Sequence, residues 1–328
     1  MKAIVYSKYG PPDVLQLKEV EKPVPKGNEI LVKVKATTVS VADIRSRSFT
    51  VPRIFWLPAR MTLGFRQPKK EILGMELAGE VESVGEEVKR FKEGDQVFAA
   101  SLIGFGAYAE YLCLPEDGPV SIKPDNITYA EAAAIPIGAR TALFFLRKAN
   151  LQSGHKVLIY GASGSVGSYA VQIAKYFGAY VTAVCSTANM EWVKSLGADK
   201  VIDYTAEDFS KSGPMYDVVF EAVNKSSFSA CMKVLKKDGI YINVTEPFPS
   251  VHMLWTQLTS SKKLVLSRNS PESSEALHFL KDLVEKGKLK VVIDRSYEFN
   301  EIVEAHRYVE KGHKKGNVVI KVEHSNKS

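Results

Sequence analysis

Val157-Leu158-Ile159-Tyr160-Gly161-Ala162-Ser163-Gly164-Ser165-Val166-Gly167 decides the fold of this 328-residue chain. Its first four residues form a short apolar strand. A glycine-rich turn follows, and Val166, Ala170, Ile173, Ala174 and Phe177 then recur at helical spacing. Strand, glycine turn and helix in that order are the setting in which a loop holds a pyrophosphate. The phosphates must reach bare peptide N–H groups at a helix N-terminus, and any Cβ pointing inward would block them. Gly164 permits that approach, and Gly167 lets the helix pack tightly on the strand. Gly161, Ala162, Ser163, Ser165 and Val166 complete the candidate cofactor loop. In it Ala162 stands where the G-x-G-x-x-G pattern has its first glycine.

Working outward, the strand–helix rhythm continues. Val181-Thr182-Ala183-Val184 reads as a strand, and Met190, Val193, Lys194 and Leu196 outline a helix closed by Gly197. Val201-Ile202, Val218-Val219-Phe220, Ile240-Tyr241-Ile242 and Leu264-Val265-Leu266 bring the candidate strands to six. Continuous apolar runs separated by helices predict a doubly wound parallel sheet, an α/β Rossmann domain over residues 126–268. Residues 1–125 read differently. Short strands at 30–36, 77–85, 94–99 and 108–114, broken by Gly and Pro, predict a small β-barrel. The tail, 269–328, holds a helix over 274–286 and a strand over 317–322, and is expected to return to the first domain.

The second Rossmann strand ends Val184-Cys185-Ser186-Thr187, without the carboxylate that an NAD site places there for the ribose 2′-OH. Hydroxyls accept a 2′-phosphate that a carboxylate would repel, so NADPH (NADP) is the expected cofactor. Ser186, Thr187 and Tyr204 are candidate contacts and Lys200 a weaker one; Ser186 and Thr187 could equally cap the next helix. A net charge of +7 is spread over scattered lysine pairs, which suits an anionic cofactor and predicts no specific nucleic-acid partner. Three widely spaced cysteines, Cys113, Cys185 and Cys231, suggest neither a disulfide framework nor a cysteine metal site, as expected in a reducing cytoplasm. The N-terminus reads directly as a strand, and no apolar run approaches the roughly 20 residues of a membrane span, so no membrane insertion is expected.

Gly74-Met75-Glu76-Leu77-Ala78-Gly79-Glu80-Val81, Gly94-Asp95-Gln96-Val97, Gly106-Ala107-Tyr108-Ala109-Glu110-Tyr111, Ala132-Ala133-Ala134-Ile135-Pro136, the glycine loop and Gly197-Ala198-Asp199-Lys200-Val201-Ile202-Asp203-Tyr204 carry a resemblance. The chain resembles the medium-chain dehydrogenase/reductases, in the quinone oxidoreductase or zeta-crystallin-like branch, nearly end to end. The resemblance implies a GroES-like catalytic domain around the Rossmann domain, with the active site in the cleft. It also implies hydride transfer to a quinone or α,β-unsaturated carbonyl, and a homodimer formed by edge pairing of the sixth Rossmann strand.

Zinc-dependent members place a Cys near residue 40 and a His in Gly-His-Glu. Here Met75 fills the His position and no Cys lies near Ser40-Val41-Ala42-Asp43, so no metal is expected. In the branch's Asn-x-x-Asp motif Ser40 replaces Asn and Asp43 is kept. The resemblance puts both beside the nicotinamide, where Asp43 could orient a proton relay or make a structural hydrogen bond. Arg45 could pair with Asp43 or contact the cofactor. Thr141 matches a position near the carboxamide, and Lys315 and Asn317 match a segment that returns to the cofactor. Val223, Val244 and Thr245 fall at strand C-terminal ends, where open α/β sheets bind ligands.

The segment from Phe49 to Phe65 crowds Val51, Ile54, Phe55, Trp56, Leu57, Met61, Leu63 and Phe65 among Arg53, Arg60 and Arg66, with Pro58 interrupting any single long helix. It reads as a flap over the substrate mouth, a subunit interface or a local minicore, with a membrane-skimming role as a lesser alternative. The six histidines show no metal spacing, and most are expected at the surface. Two other functions fit the same sequence. One is a zinc-free alcohol or aldehyde dehydrogenase; the other is a crystallin-like or RNA-associated NADPH-binding protein with little turnover.

Overall fold

The computed structural model describes residues 1–51, 55–102, 104–211, 215–267 and 274–324. In the N-terminal part, β1 (Lys2–Val5) pairs antiparallel with β2 (Gln16–Glu19). The ten-residue β3 (Glu29–Thr38) alternates, with Ile30, Val32 and Val34 turned into the core. Two helices follow, α1 (Val41–Ser48) and α2 (Trp56–Leu63). Next come β4 (Glu76–Val84), β5 (Gln96–Ala100), β6 (Tyr111–Pro115), β7 (Val120–Ile122) and the short α3 (Tyr129–Ala133). The barrel reading names none of these helices. They are short and polar on one side, and tertiary packing rather than sequence periodicity stabilises them.

From α4 (Gly138–Lys148) strands and helices alternate, except that among the described residues only a short 3-10 turn, Phe209–Lys211, separates the third and fourth strands. The strands are β8 (Lys156–Tyr160), β9 (Tyr180–Cys185), β10 (Lys200–Asp203), β11 (Tyr216–Glu221), β12 (Leu235–Asn243) and β13 (Lys263–Leu266). Between them run α5 (Ser165–Tyr176), α6 (Met190–Ser195), α7 (Phe228–Val234) and α8 (Val251–Thr259). All six strands are parallel, in the order β10-β9-β8-β11-β12-β13. The order reverses between β8 and β11, so the ligand-binding crevice is expected beyond their carboxyl ends. Both faces are covered, which is why Val157, Leu158, Ile159, Val218, Val219 and Phe220 are all buried.

After α9 (Glu275–Glu285) come β14 (Ile293–Glu298), α10 (Ile302–Glu310) and β15 (Asn317–Lys321). β15 adds antiparallel to β3, and the antiparallel-rich sheet runs β14-β15-β3-β4-β5-β7, with β6 also on β3. Val318 and Ile320 join the core formed by Ile30, Val32, Leu77 and Val97. Two units result. One comprises Met1–Ile137, Glu272–Asp282 and Ile293–Ser328; the other comprises Gly138–Pro271 and Leu283–Val292.

Candidate functional site

In the parallel-sheet unit, the phosphate loop leaves β8 and enters α5. Gly161 carries the tight turn with φ +78°, and a Cβ there would meet the Val223 side chain at 2.7 Å. A Cβ on Gly167 would lie 2.1 Å from the Gly161 carbonyl oxygen and 2.8 Å from the Ala162 Cα, both backbone atoms that cannot yield. Gly164 is the N-cap of α5, and no side-chain hydrogen bond caps that helix. A Cβ at Gly164 would have only the Gly161 oxygen nearby, at 3.5 Å, so the space above it is open. The opening amides of α5 therefore face outward from a loop walled by half-buried Ser163, Gly164, Ser165 and Val166. A dinucleotide pyrophosphate fits this cradle.

The glycine spacing needs a correction. The turn glycine is Gly161, so the working pattern is G-x-x-G-x-x-G. Ala162 is fully buried with its amide given to the Val184 carbonyl at 3.1 Å, which leaves it a packing residue.

Beyond β9, Ser186 is half-buried and its hydroxyl accepts from Asn189 Nδ2 at 3.0 Å. Thr187 is engaged: its hydroxyl donates to Asp203, which also accepts from the Thr205 amide and hydroxyl at 2.9 and 2.7 Å. Neither side chain caps the following turn. Asp203, at the carboxyl end of β10, was not singled out from sequence. Hydrogen bonds from Thr187 and Thr205 hold its carboxyl below the usual range. Tyr204 is exposed and lies 6.2 Å from the Tyr160 ring, whereas Lys200 opens β10 at the opposite end of the strand.

Beyond β11, buried Glu221 accepts from the amides of Val223, Asn224 and Ser226, which fixes the turn that sets Val223 over Gly161. Beyond β12, Asn243 Oδ1 gathers the Thr245 amide and hydroxyl and the Glu246 amide, so Thr245 is held at the strand end. The half-buried Val244 donates its amide to the Glu221 carbonyl. Thr141 sits half-buried in the first turn of α4.

In the other unit, Ser40 is the N-cap of α1 and forms a capping box with Asp43. Asp43 is buried and accepts from the Ser40 hydroxyl at 2.6 Å, the Ser40 amide at 2.9 Å and the Gly74 amide at 3.2 Å. Burial pushes its carboxyl up to about 6, against the pull of these hydrogen bonds. Arg45 does not pair with it. Positions 43 and 47 share the buried face of α1, one turn apart, whereas Arg45 is exposed on another.

Glu76 is buried beside this centre, accepting from the Thr38 hydroxyl and from the Ile137 amide at 2.7 Å. Burial raises it to about 7, with Asp43 adding repulsion. Lys315 is exposed and its amide donates to Asp294 at 3.0 Å. Its neighbour Lys314 is the lysine coupled to Glu76, and burial lowers it to about 8. Asn317 is buried at the start of β15.

Sequence reasoning missed the support behind Asp43. Tyr108 is fully buried, and its hydroxyl meets His306 Nε2 at 3.2 Å. His306, one of six histidines of which most are expected at the surface, is buried on α10. Burial, then Arg47, drive it down to about 3, so it is neutral. Arg47 is completely buried and ion-paired with Glu310. The available signal was the i, i+4 pairing of His306 with Glu310 and of Asp43 with Arg47, one turn apart on each helix.

Met75, at the position where zinc-dependent members carry a His, packs into the apolar core, Ser40 offers a hydroxyl, and the carboxylates of Asp43 and Glu76 already accept hydrogen bonds from the chain. Among the described residues no group of three or more His, Cys, Asp or Glu could hold a metal.

From Phe49 to Phe65, residues 52–54 lie outside the described residues. Within this segment Trp56–Leu63 forms α2, with Pro58 in its first turn, where a missing N–H costs nothing. Arg60 stacks 3.8 Å over the Phe49 ring, and the Tyr9 hydroxyl donates to the Leu63 carbonyl at 2.9 Å. Among the described residues no helix is long and apolar enough to cross a membrane.

Comparison with known proteins places this geometry. Residues 26–125 match the alcohol dehydrogenase GroES-like domain, and residues 196–320 match the zinc-binding dehydrogenase domain. The chloroplast envelope quinone oxidoreductase homolog of Arabidopsis thaliana is 36% identical over 336 residues, covering 98% of both chains. The NADPH-dependent alkenal/one oxidoreductase, chloroplastic, of the same plant is 33% identical, over 98% of this chain and 79% of that one. The solved quinone oxidoreductase from Coxiella burnetii superposes with a TM-score of 0.87 at 30% identity, over 98% and 99% of the two chains. With a glycine loop opening α5, a six-stranded parallel sheet, a GroES-like unit and full-length relatives, the chain belongs to the medium-chain dehydrogenase/reductase superfamily, in its quinone oxidoreductase branch.

Proposed function

We propose that this protein is an NADPH-dependent, zinc-independent oxidoreductase that reduces quinones or α,β-unsaturated carbonyl compounds. The observation that carries the reading is the uncapped start of α5 above Gly164, a pyrophosphate cradle in a chain whose relatives are named quinone and NADPH-dependent alkenal/one oxidoreductases. Bound there, NADPH would supply a hydride from its nicotinamide C4. The amides of Ser165, Val166 and Gly167 bind the pyrophosphate. Ser186 and Tyr204 take the ribose 2′-phosphate; Thr187 acts through Asp203, which it holds. Val223, Val244, Thr245 and Thr141 line the nicotinamide end, with Asn317 and Lys315 as further contacts.

Ser40 Oγ would pass its proton to the oxygen of the reduced substrate and take one back from Asp43 in its carboxylic-acid form, whose Oδ2 lies 2.6 Å away. A carboxyl titrating near 6 is suited to that role in near-neutral solution. The three thiols are free and suit a reducing compartment such as the cytoplasm. β13 is an edge strand, and Val251, Leu254, Trp255 and Leu258 leave an apolar face on α8 exposed beside it. Both features support a homodimer through this edge.

The test is NADPH absorbance with a quinone, an enone and a simple aldehyde, each repeated with NADH. Oxidation with the first two substrates and preference for NADPH is the expected result. Turnover of the aldehyde alone, or salt-sensitive RNA binding without turnover, would replace this reading with one of the two other functions weighed above.

A further inference from the structure

A second surface has a chemistry that reduction does not need. Between Asp43 and Glu71 the chain carries no acidic residue, while Arg60, Arg66, Lys69 and Lys70 lie on or just beyond α2. One side of this segment is fastened down. The Arg60 guanidinium lies within 3.8, 4.8 and 5.2 Å of the Phe49, Tyr9 and Trp56 rings, and its Nη1 donates to the Phe65 carbonyl at 2.9 Å. The Tyr9 hydroxyl also reaches the Gly64 carbonyl, at 3.2 Å, and Lys69 Nζ closes on the Met61 carbonyl at 2.6 Å.

The other side is bare. Leu57 and Met61, one turn apart, are 55% and 68% exposed, Phe65 just past the helix end is 59% exposed, and Trp56 is 44% exposed. A segment pinned by a stacked arginine, with large apolar side chains held in water and basic side chains exposed at one end, is built to meet something both apolar and anionic.

The exposed face of α8 makes the comparison. It is as apolar, but from Phe248 to Ser261 it carries neither Lys, Arg, Asp nor Glu, which suits a second copy of the chain. Between Asp43 and Glu71, by contrast, every charged residue is basic. A self-paired interface there would bring Arg66 and Lys70 against basic groups.

We propose that the 56–70 face is a docking surface for an anionic phospholipid bilayer. Trp56, Leu57, Met61 and Phe65 enter the headgroup boundary, and Arg66 and Lys70 lie against lipid phosphates and carboxylates. No helix among the described residues is long and apolar enough to span the bilayer. The surface works independently of catalysis, so its test needs no turnover.

The experiment is co-sedimentation of the full chain with phosphatidylcholine vesicles, with and without phosphatidylserine, at low and at high ionic strength. The expected result is binding to the phosphatidylserine vesicles that weakens with salt and with removal of the anionic lipid. L57D with M61D, both at exposed positions, should lower partitioning by at least about tenfold. R66E with K70E, also at exposed positions, should do the same and provides a second test if the first variant folds poorly. A V251D/L258D variant on α8 should bind vesicles like the unaltered protein. The proposal is overturned if anionic vesicles leave the protein in the supernatant. It is equally overturned if both α2 variants partition unchanged, or if those variants only reduce the oligomer size, which would make the face an interface between copies.

Discussion

Replacing Gly164 by Ala separates ligand binding from folding more cleanly than any other change in the phosphate loop. The backbone there is already ordinary, with φ −80° and ψ 177°, so an alanine adopts it without strain. The nearest protein atom to the new Cβ is the Gly161 oxygen at 3.5 Å, normal van der Waals contact. Ala is a poorer N-cap than Gly, but the unfolded chain loses roughly 0.4–1 kcal/mol of conformational freedom, so the two effects nearly cancel.

Stability should therefore stay within about 0.5 kcal/mol of wild type, read from urea midpoints. Affinity should not survive. The Cβ stands where phosphate oxygens approach the amides, and losing one charged hydrogen bond costs about 1.5–3 kcal/mol. That raises the NADPH Kd by roughly ten- to a hundredfold, measured by fluorescence titration.

Gly167→Ala is the companion. Its Cβ would sit 2.1 Å from a backbone oxygen, so α5 must move off β8, at a cost of about 1–3 kcal/mol or more in stability. A folded Gly164→Ala protein that binds NADPH as tightly as wild type would refute the cradle.

Three further outcomes follow from the rest of the molecule. Ser40→Ala should lower kcat and cost about 1 kcal/mol of stability through the lost cap, whereas Ser40→Thr should recover both; equal kcat in all three would remove Ser40 from proton delivery. Glu76 and Asp43 have folded values of about 7 and 6, above their usual 4.5 and 3.8. The stability they contribute is complete below about pH 4 and is lost as pH rises through 6 to 7. Glu76→Gln should therefore gain in Tm relative to wild type between about pH 4.5 and pH 8, and a constant difference would contradict the buried carboxyl. On α8, V251D with L258D, at positions 81% and 82% exposed, should convert the proposed dimer to a monomer in analytical ultracentrifugation. An unchanged dimer would move the interface elsewhere.

The six parallel strands and the phosphate loop were legible because their information is local. Apolar runs mark strands buried on both faces, and a glycine loop between strand and helix has few other uses. Even there the register of roles slipped by one residue. Only backbone geometry reveals that Gly161 takes the positive φ and that Ala162 is packed away.

The GroES-like unit was read as plain β because α1 and α2 are short and lack a sustained period. The absence of a carboxylate after Val184 was visible, but Asp203, delivered from the neighbouring strand, was not. The buried set behind Ser40 was hardest to see. Asp43 and Arg47, Tyr108, and His306 with Glu310 come from three distant parts of the chain, and His306 alone resembles any surface histidine.

The sequence by itself thus determined the strands and the glycine loop, since each depends on residue types at close spacing. The tertiary structure decided which polar groups are buried together, and so where protons are held. Burial and long-range pairing are properties of the packed chain, and no local pattern encodes them.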